Sequence, residues 1–172
     1  MQLHWDAGAE VGAMQRLATG AGQGAPSPSP GPAGEVHAHV ALIPLLRLGP
    51  YLSYDVSPVG GLPAREHAEA GLRVKVTPPL FAEPWRAWAF TGLGYARTTM
   101  GDLKGGLLEL PVGVGVSYRL RRPWEVFVEL GGRIGLAFAG SMYSVPQCLC
   151  GPNYAGKDSF ALSLSAGVSF SP

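Results

Sequence analysis

Three groups of residues in this 172-residue chain are of types that do chemistry. Glu35, His37 and His39 alternate in the stretch EVHAH, so their side chains would share one face of a strand. Two histidines at i and i+2 beside a carboxylate can ligate a divalent ion. Plain polarity of that face explains the same pattern. His4 and His67 lie elsewhere and do not complete a set, so no metal is expected. Cys148 and Cys150 flank Leu149. An oxidising compartment favours a disulfide between them, but the ring closed at that spacing is small and strained. A local bond, free thiols and a bond to a partner stay open. Ser159, Ser163 and Ser165 cluster near the end of the chain. A hydrolase needs a serine with a histidine base and a carboxylate, and no histidine lies near them in sequence. The expectation is no catalytic residue and no cofactor.

The elements that would carry these residues repeat with a period of two, the mark of a strand. In LELPVGVGVSYRL, Leu108, Leu110, Val112, Val114, Val116, Tyr118 and Leu120 alternate with Glu109, Pro111, Gly113, Gly115, Ser117 and Arg119. The same alternation runs through LHWDAGAEVGAM, EVHAHVAL, RLGPYLSYD, HAEAGLRVKV, WEVFVELGGRIGLAF and SFALSLSAGVSF. WRAWAFTGLGYAR is ambiguous, because aromatics fall on both parities; Ala87, Ala89, Leu93 and Tyr95 are assigned to its apolar face. These make eight strands of roughly 9 to 13 residues, the length a tilted membrane-crossing strand needs. Short turns near Pro44 to Leu46 and at RRP alternate with longer connections, including TTMGDLKGG. The domain is predicted as a single unit over 1–172, with a flexible external loop at 17–34 and a long external loop at 139–158.

Composition narrows the class. Hydrophobic residues are 47% of the chain and charged residues only 15%, against about 25% charged in a typical soluble domain. A net charge of +1 gives no electrostatic footprint for nucleic acid. No run approaches the roughly 20 apolar residues of a spanning helix. The start shows no charged segment followed by an apolar one, so any export signal is expected to lie outside this sequence.

Three features point the apolar parity toward lipid. The polar parity is too small for a solvated surface, being rich in Gly, Ser and Ala. Its charges are mixed: Asp6, Glu10, Glu69, Glu109, Glu125 and Glu129 can pair with Arg47, Arg73, Lys75, Arg86, Arg119 and Arg133 in a lumen where buried charges must be paired. The aromatics fall in two rings. Trp5, Trp85, Tyr118, Trp124 and Phe170 lie at the strand ends near the termini, and Tyr54, Tyr95, Phe138 and Phe160 at the other ends. Gly113 and Gly115 would leave room for large side chains of neighbouring strands. Pro111 lacks the N–H that a closed sheet requires, which predicts a bulge or kink.

These strands, with LPVGVGVSYRL and the late LSAGVSF, resemble the small outer-membrane β-barrel family, the OmpA-like and OmpX-like eight-stranded barrels of Gram-negative bacteria. The resemblance implies an all-β, antiparallel up-and-down transmembrane barrel in the bacterial outer membrane. A terminal strand ending in an aromatic resembles the family's insertion signal, though here Ser171 and Pro172 follow Phe170. The expected function is non-enzymatic, structural or surface-interacting through external loops. The expected partners are outer-membrane lipid and lipopolysaccharide, with a surface protein through the loops, and a monomeric state. A lipid-modifying barrel enzyme is the alternative, and a soluble lipocalin-like ligand binder the third reading. An open pore is not expected, because porin channels need about 16 strands.

Overall fold

The computed structural model describes residues 4–19, 28–144 and 157–172. Its strands are β1 (Trp5–Thr19), β2 (Gly31–Ile43), β3 (Leu46–Ser57), β4 (Arg65–Val76), β5 (Trp85–Met100), β6 (Leu103–Arg121), β7 (Trp124–Ala139) and β8 (Lys157–Phe170), with a short helix α1 (Ser141–Ser144). Each strand pairs antiparallel with its neighbours, and β1 pairs with β8 to close the barrel. The fold is therefore the eight-stranded up-and-down barrel that the alternation predicts. The strands, at 12 to 19 residues, are longer than expected. The expected TTMGDLKGG loop is mostly ladder: Met100 pairs with Leu103, and only Gly101 and Asp102 turn the chain. Gly101 takes a φ of 58°, the left-handed conformation that a two-residue hairpin uses. Likewise β1 reaches Thr19 and β2 begins at Gly31, so both ends of the expected 17–34 loop are strand.

The barrel is inside out relative to a soluble protein. Val114 is 55% exposed, Leu164 59% and Leu72 57%, while Arg16, Arg73 and Glu109 are at most 1% exposed. The apolar residues form the continuous outer surface of every strand. A surface of that kind is stable against hydrocarbon, and a closed barrel satisfies its backbone without water. This geometry counts against the soluble lipocalin-like reading. No helix among the described residues is long and apolar enough to cross a membrane; the crossing elements are strands.

The ambiguous parity of β5 resolves here. Trp85 and Tyr95 point outward, while Trp88 and Phe90 are buried inside. They fit because Gly115 and Gly113 lie opposite them on β6. A Cβ at Gly115 would strike the Trp88 ring, and one at Gly113 the Phe90 ring.

Pro111 is accommodated without a bulge. The β5–β6 ladder lapses between the Thr91–Val112 and Gly94–Glu109 pairs and resumes in unchanged register. Gly92 lies across from Pro111, and a Cβ there would be 3.1 Å from the Pro111 ring. Pro50 repeats the arrangement. The β2–β3 ladder lapses between His37–Tyr51 and Val40–Leu48, again in register. Neighbouring Gly49 presses on the backbone of Ala38. Two missing donors thus cost local pairing on one side of the strand only, since both prolines stay paired on the other side.

Candidate functional site

The polar parity of all eight strands converges in the lumen, which is filled rather than open. Its chemistry is carried by three arginines, each bridging two carboxylates from other strands. Arg16 on β1 donates to Asp55 on β3 at 2.7 Å and to Glu109 on β6 at 3.0 Å. Arg73 on β4 donates to Glu35 on β2 at 2.8 Å and to Glu129 on β7 at 3.1 Å. Arg133 on β7 donates to Glu35 at 3.1 Å and pairs with Glu69 on β4. A planar guanidinium suits this role because its fork of donors can meet two acceptors at once. Further hydrogen bonds hold several of these groups. Tyr51 donates to Glu69, Trp88 Nε1 to Glu129 at 3.2 Å, and Arg133 Nη1 to Ser53 Oγ at 2.8 Å. Such pairs are tolerable in low dielectric only when completed by further hydrogen bonds.

Toward the end holding the termini, Asp6 pairs with Arg47 and lies 3.0 Å from His39 Nδ1. Glu125 takes Arg86 at 3.1 Å, Arg119 Nε at 3.3 Å and the Ser117 hydroxyl at 3.0 Å. Arg119 also pairs with Glu83. Lys75 lies over the Trp88 ring at 4.2 Å. The expected charges thus lie inside the barrel, and two of them, Lys75 and Glu10, form no ion pair with a described residue. Glu10 is buried opposite Glu35 in the β1–β2 ladder. Its Oε2 has no hydrogen-bond partner among the described residues. It borders a cavity of about 20 Å³ shared with Glu35, Glu129, Ser163 and Ser165, room for about one water.

The network also holds residues outside the expected set: Arg16, Glu35, Asp55 and His67. Arg16 sits two residues past the stretch read as strand one, and carrying the period on would have found it. His67 is not signalled locally; its partners lie on other strands. His67 Nδ1 is 2.8 Å from Thr98 Oγ1, and its Nε2 is 3.0 Å from Glu109. This is a hydroxyl–imidazole–carboxylate chain, but all three residues are at most 1% exposed. An apolar cap lies at the same end. Val59, Met100 and Met142 are buried together, with Leu62, Leu103 and Tyr143 packed on them. The Tyr143 hydroxyl reaches Thr98 at 3.5 Å.

Two groups bring metal-ligating atoms within 4.8 Å of one another: Asp6 with His37 and His39, and His67 with Glu69 and Glu109. In each, the carboxylates already meet guanidinium groups, Arg47 for Asp6, Arg133 for Glu69 and Arg16 for Glu109. A dication would face those fixed positive charges at close range. Glu35, of the EVHAH set, is held by Arg73 and Arg133, with His37 Nδ1 at 3.6 Å. The geometry favours ion pairing over metal binding at these sites. Cys148 and Cys150 lie outside the described residues.

The aromatics near the termini pack in two groups. Trp5 and Trp124 pack on Phe170 at centroid distances of 5.6 and 5.2 Å, and Trp85 on Tyr118 at 4.9 Å. At the other end Tyr54 and Tyr95 face outward, as does Phe160, which pairs with outward Ile134 and Leu17. Phe138 does not belong to this ring. A register shift passes over Leu136, so Phe138 comes to pair with the buried Leu107. It packs edge-on against Tyr143, 5.1 Å away, beside the cap. An extra residue in one strand turns every later side chain to the opposite face.

No family model matches the chain, and no curated protein matches it. Its fold is similar to solved outer-membrane barrels. Neisserial surface protein A aligns with a TM-score of 0.72 at 14% identity over 99% of both chains. A major outer membrane protein of Thermus thermophilus aligns with 0.69 at 13% identity over 100% of both. Ail, the attachment invasion locus protein of Yersinia pestis, aligns with 0.58 at 8% identity over 100% of both. The chain has the fold of the small eight-stranded outer-membrane barrels.

Proposed function

We propose that this chain is a non-enzymatic barrel of the bacterial outer membrane whose role is structural or surface-interacting. Lipid and lipopolysaccharide surround its wall, and a protein partner meets its external segments. The observation that carries this reading is the filled lumen. Salt-bridged arginines cross it, and the apolar cap lies at the end opposite the termini, so conduction is disfavoured and variable chemistry is left to the outer segments. Two similar barrels are named as a surface protein and an attachment protein; that supports the class of role, while the partner here is to be found by experiment.

The test removes recognition while keeping the barrel. Met142 is fully buried in the cap, so the replacement must spare α1. Residues 145–156, which include Val145, Cys148, Cys150 and Tyr154, are exchanged for a short Gly-containing turn. The expected result is a barrel that still resists heat in detergent but loses surface binding in cells. Full retention of surface binding would overturn the loop assignment.

The Thr98–His67–Glu109 chain favours one second reading, a lipid-modifying enzyme. Glu109 is already committed to Arg16, and the chain is closed from solvent, which weighs against it. Lipid A analysis of cells carrying Thr98→Val separates the two. A modification product present with the parent protein and absent with the variant would establish the enzyme.

A further inference from the structure

The mouth at the termini end differs in character from the capped end. Arg47 on β3, Arg86 on β5, Arg119 on β6 and Arg122 in the β6–β7 turn line one cavity of about 520 Å³, together with His4. The carboxylates facing them are Asp6, Glu83 and Glu125. Asp6 is taken by Arg47, and Glu125 by Arg86 and Arg119. Glu83 is two-thirds exposed and meets Arg119 and, at 3.9 Å, Arg86. Arg122 is exposed and makes no ion pair with any described residue. Lys75 lies just inside, bordering a smaller cavity with Asp6, Arg47 and Arg86. Cations therefore exceed side-chain carboxylates around this opening, and one of the three, Glu83, is mostly exposed. Each guanidinium carries five N–H donors, more than these pairs consume.

The same cavity also has an apolar lining. Leu42 and Ile43 at the end of β2 and Pro44 in the turn after it contribute to it, with Leu42 and Ile43 each 57% exposed. A cavity lined by cations together with exposed apolar side chains suits an anion attached to hydrocarbon. Guanidinium forks match the oxygens of a phosphate group better than any other common anion except a carboxylate.

We propose that this mouth binds a phosphate group, presented by the headgroup of a phospholipid in the adjoining leaflet. The headgroup sits among Arg86, Arg119 and Arg122, and the acyl chains leave over Leu42 and Ile43 onto the apolar wall. Free phosphate is the other source of the same chemistry.

The test uses the purified full chain in uncharged detergent, with ligand adducts followed by native mass spectrometry. The probes are dioctanoyl phosphatidylglycerol, inorganic phosphate and, as an acyl-only control, dioctanoylglycerol. The expected result is saturable binding of the phospholipid, none of the control, and a loss of about tenfold in affinity in Arg122→Ala. Lys104→Ala, at the far end of the barrel, should bind as the parent does. Tighter binding of phospholipid than of inorganic phosphate assigns the headgroup as the source; equal binding assigns the free anion to the same site. Arg119→Gln provides a second variant, used once its heat resistance matches the parent. Arg122 holds no described partner, so its variant remains a valid test if Arg119→Gln fails to fold. The proposal is overturned by no saturable binding of either phosphate probe, by equal binding of the acyl-only control, or by binding that survives Arg122→Ala.

Discussion

The wall and the lumen of this barrel are made from alternate residues of the same strands, yet they are selected by different rules. On β6, Val114 faces outward and needs only to be apolar. The next residue, Gly115, can be nothing larger, because Trp88 occupies the space its Cβ would take. The wall is matched to a solvent, so its residues are interchangeable within a chemical class. The lumen is matched residue to residue, so its members have named partners on distant strands. A wall error should therefore cost the transfer energy of one side chain. A lumen error should cost the stranding of whatever that side chain satisfied.

The sharpest way to break this contrast is a charge reversal in the lumen. Glu129→Lys places a cation against Arg73 and removes the acceptor of Trp88 Nε1. The expected destabilisation is about 3–5 kcal/mol, the range for breaking a buried pair by altering one partner. Urea unfolding in lipid vesicles measures it, and parent-like stability would mean that water reaches this tier. Next comes the wall. Val114→Arg, on the lipid-facing parity of β6, should cost about 2–4 kcal/mol in bilayers. If it folds in lipid as readily as the parent, the outward face does not meet hydrocarbon. The smallest effect is expected from Glu10→Gln. Glu10 lies opposite Glu35 and has no ion-pair partner among the described residues. Gln keeps the side chain's size and carries no charge toward Glu35, so the change should stay below about 1 kcal/mol. A loss comparable to that of Glu129→Lys would show that Glu10 is held as firmly as the ion-paired carboxylates.

What can be read from sequence follows the same division. Wall parity is a one-dimensional signal, legible in seven strands from alternation alone. In β5 alternation is ambiguous, because Trp88 and Phe90 are large apolar residues on the inner face, admitted by glycines on a different strand; the face assigned there, Ala87, Ala89, Leu93 and Tyr95, is nonetheless the outer one. The placing of Phe138 fails for a similar reason. A register shift at Leu136 reverses the parity after it, and nothing in LAFA marks the extra residue. Strand ends are misplaced where TTMGDLKGG, although rich in turn formers, continues as ladder around Gly101. The lumen charges can be named as a set from mixed signs on the polar parity. Their pairing cannot, since Arg16 finds Asp55 and Glu109 only through the closed ring.

The arginine bridges also settle an ambiguity that the wall cannot. If one strand slides past its neighbour by two residues, every apolar side chain still faces lipid and every polar one still faces inward. The alternation is blind to that error, because its own period is two. A guanidinium is not. Such a slide moves it by about 6.6–6.8 Å, far beyond hydrogen-bond reach of both carboxylates. Arg16 joins positions 39 and 93 residues away, and Arg133 reaches Glu35 across 98. The barrel's ionic interior thus acts as a vernier: alternation sets which side faces in, and the arginines set which rung each strand occupies.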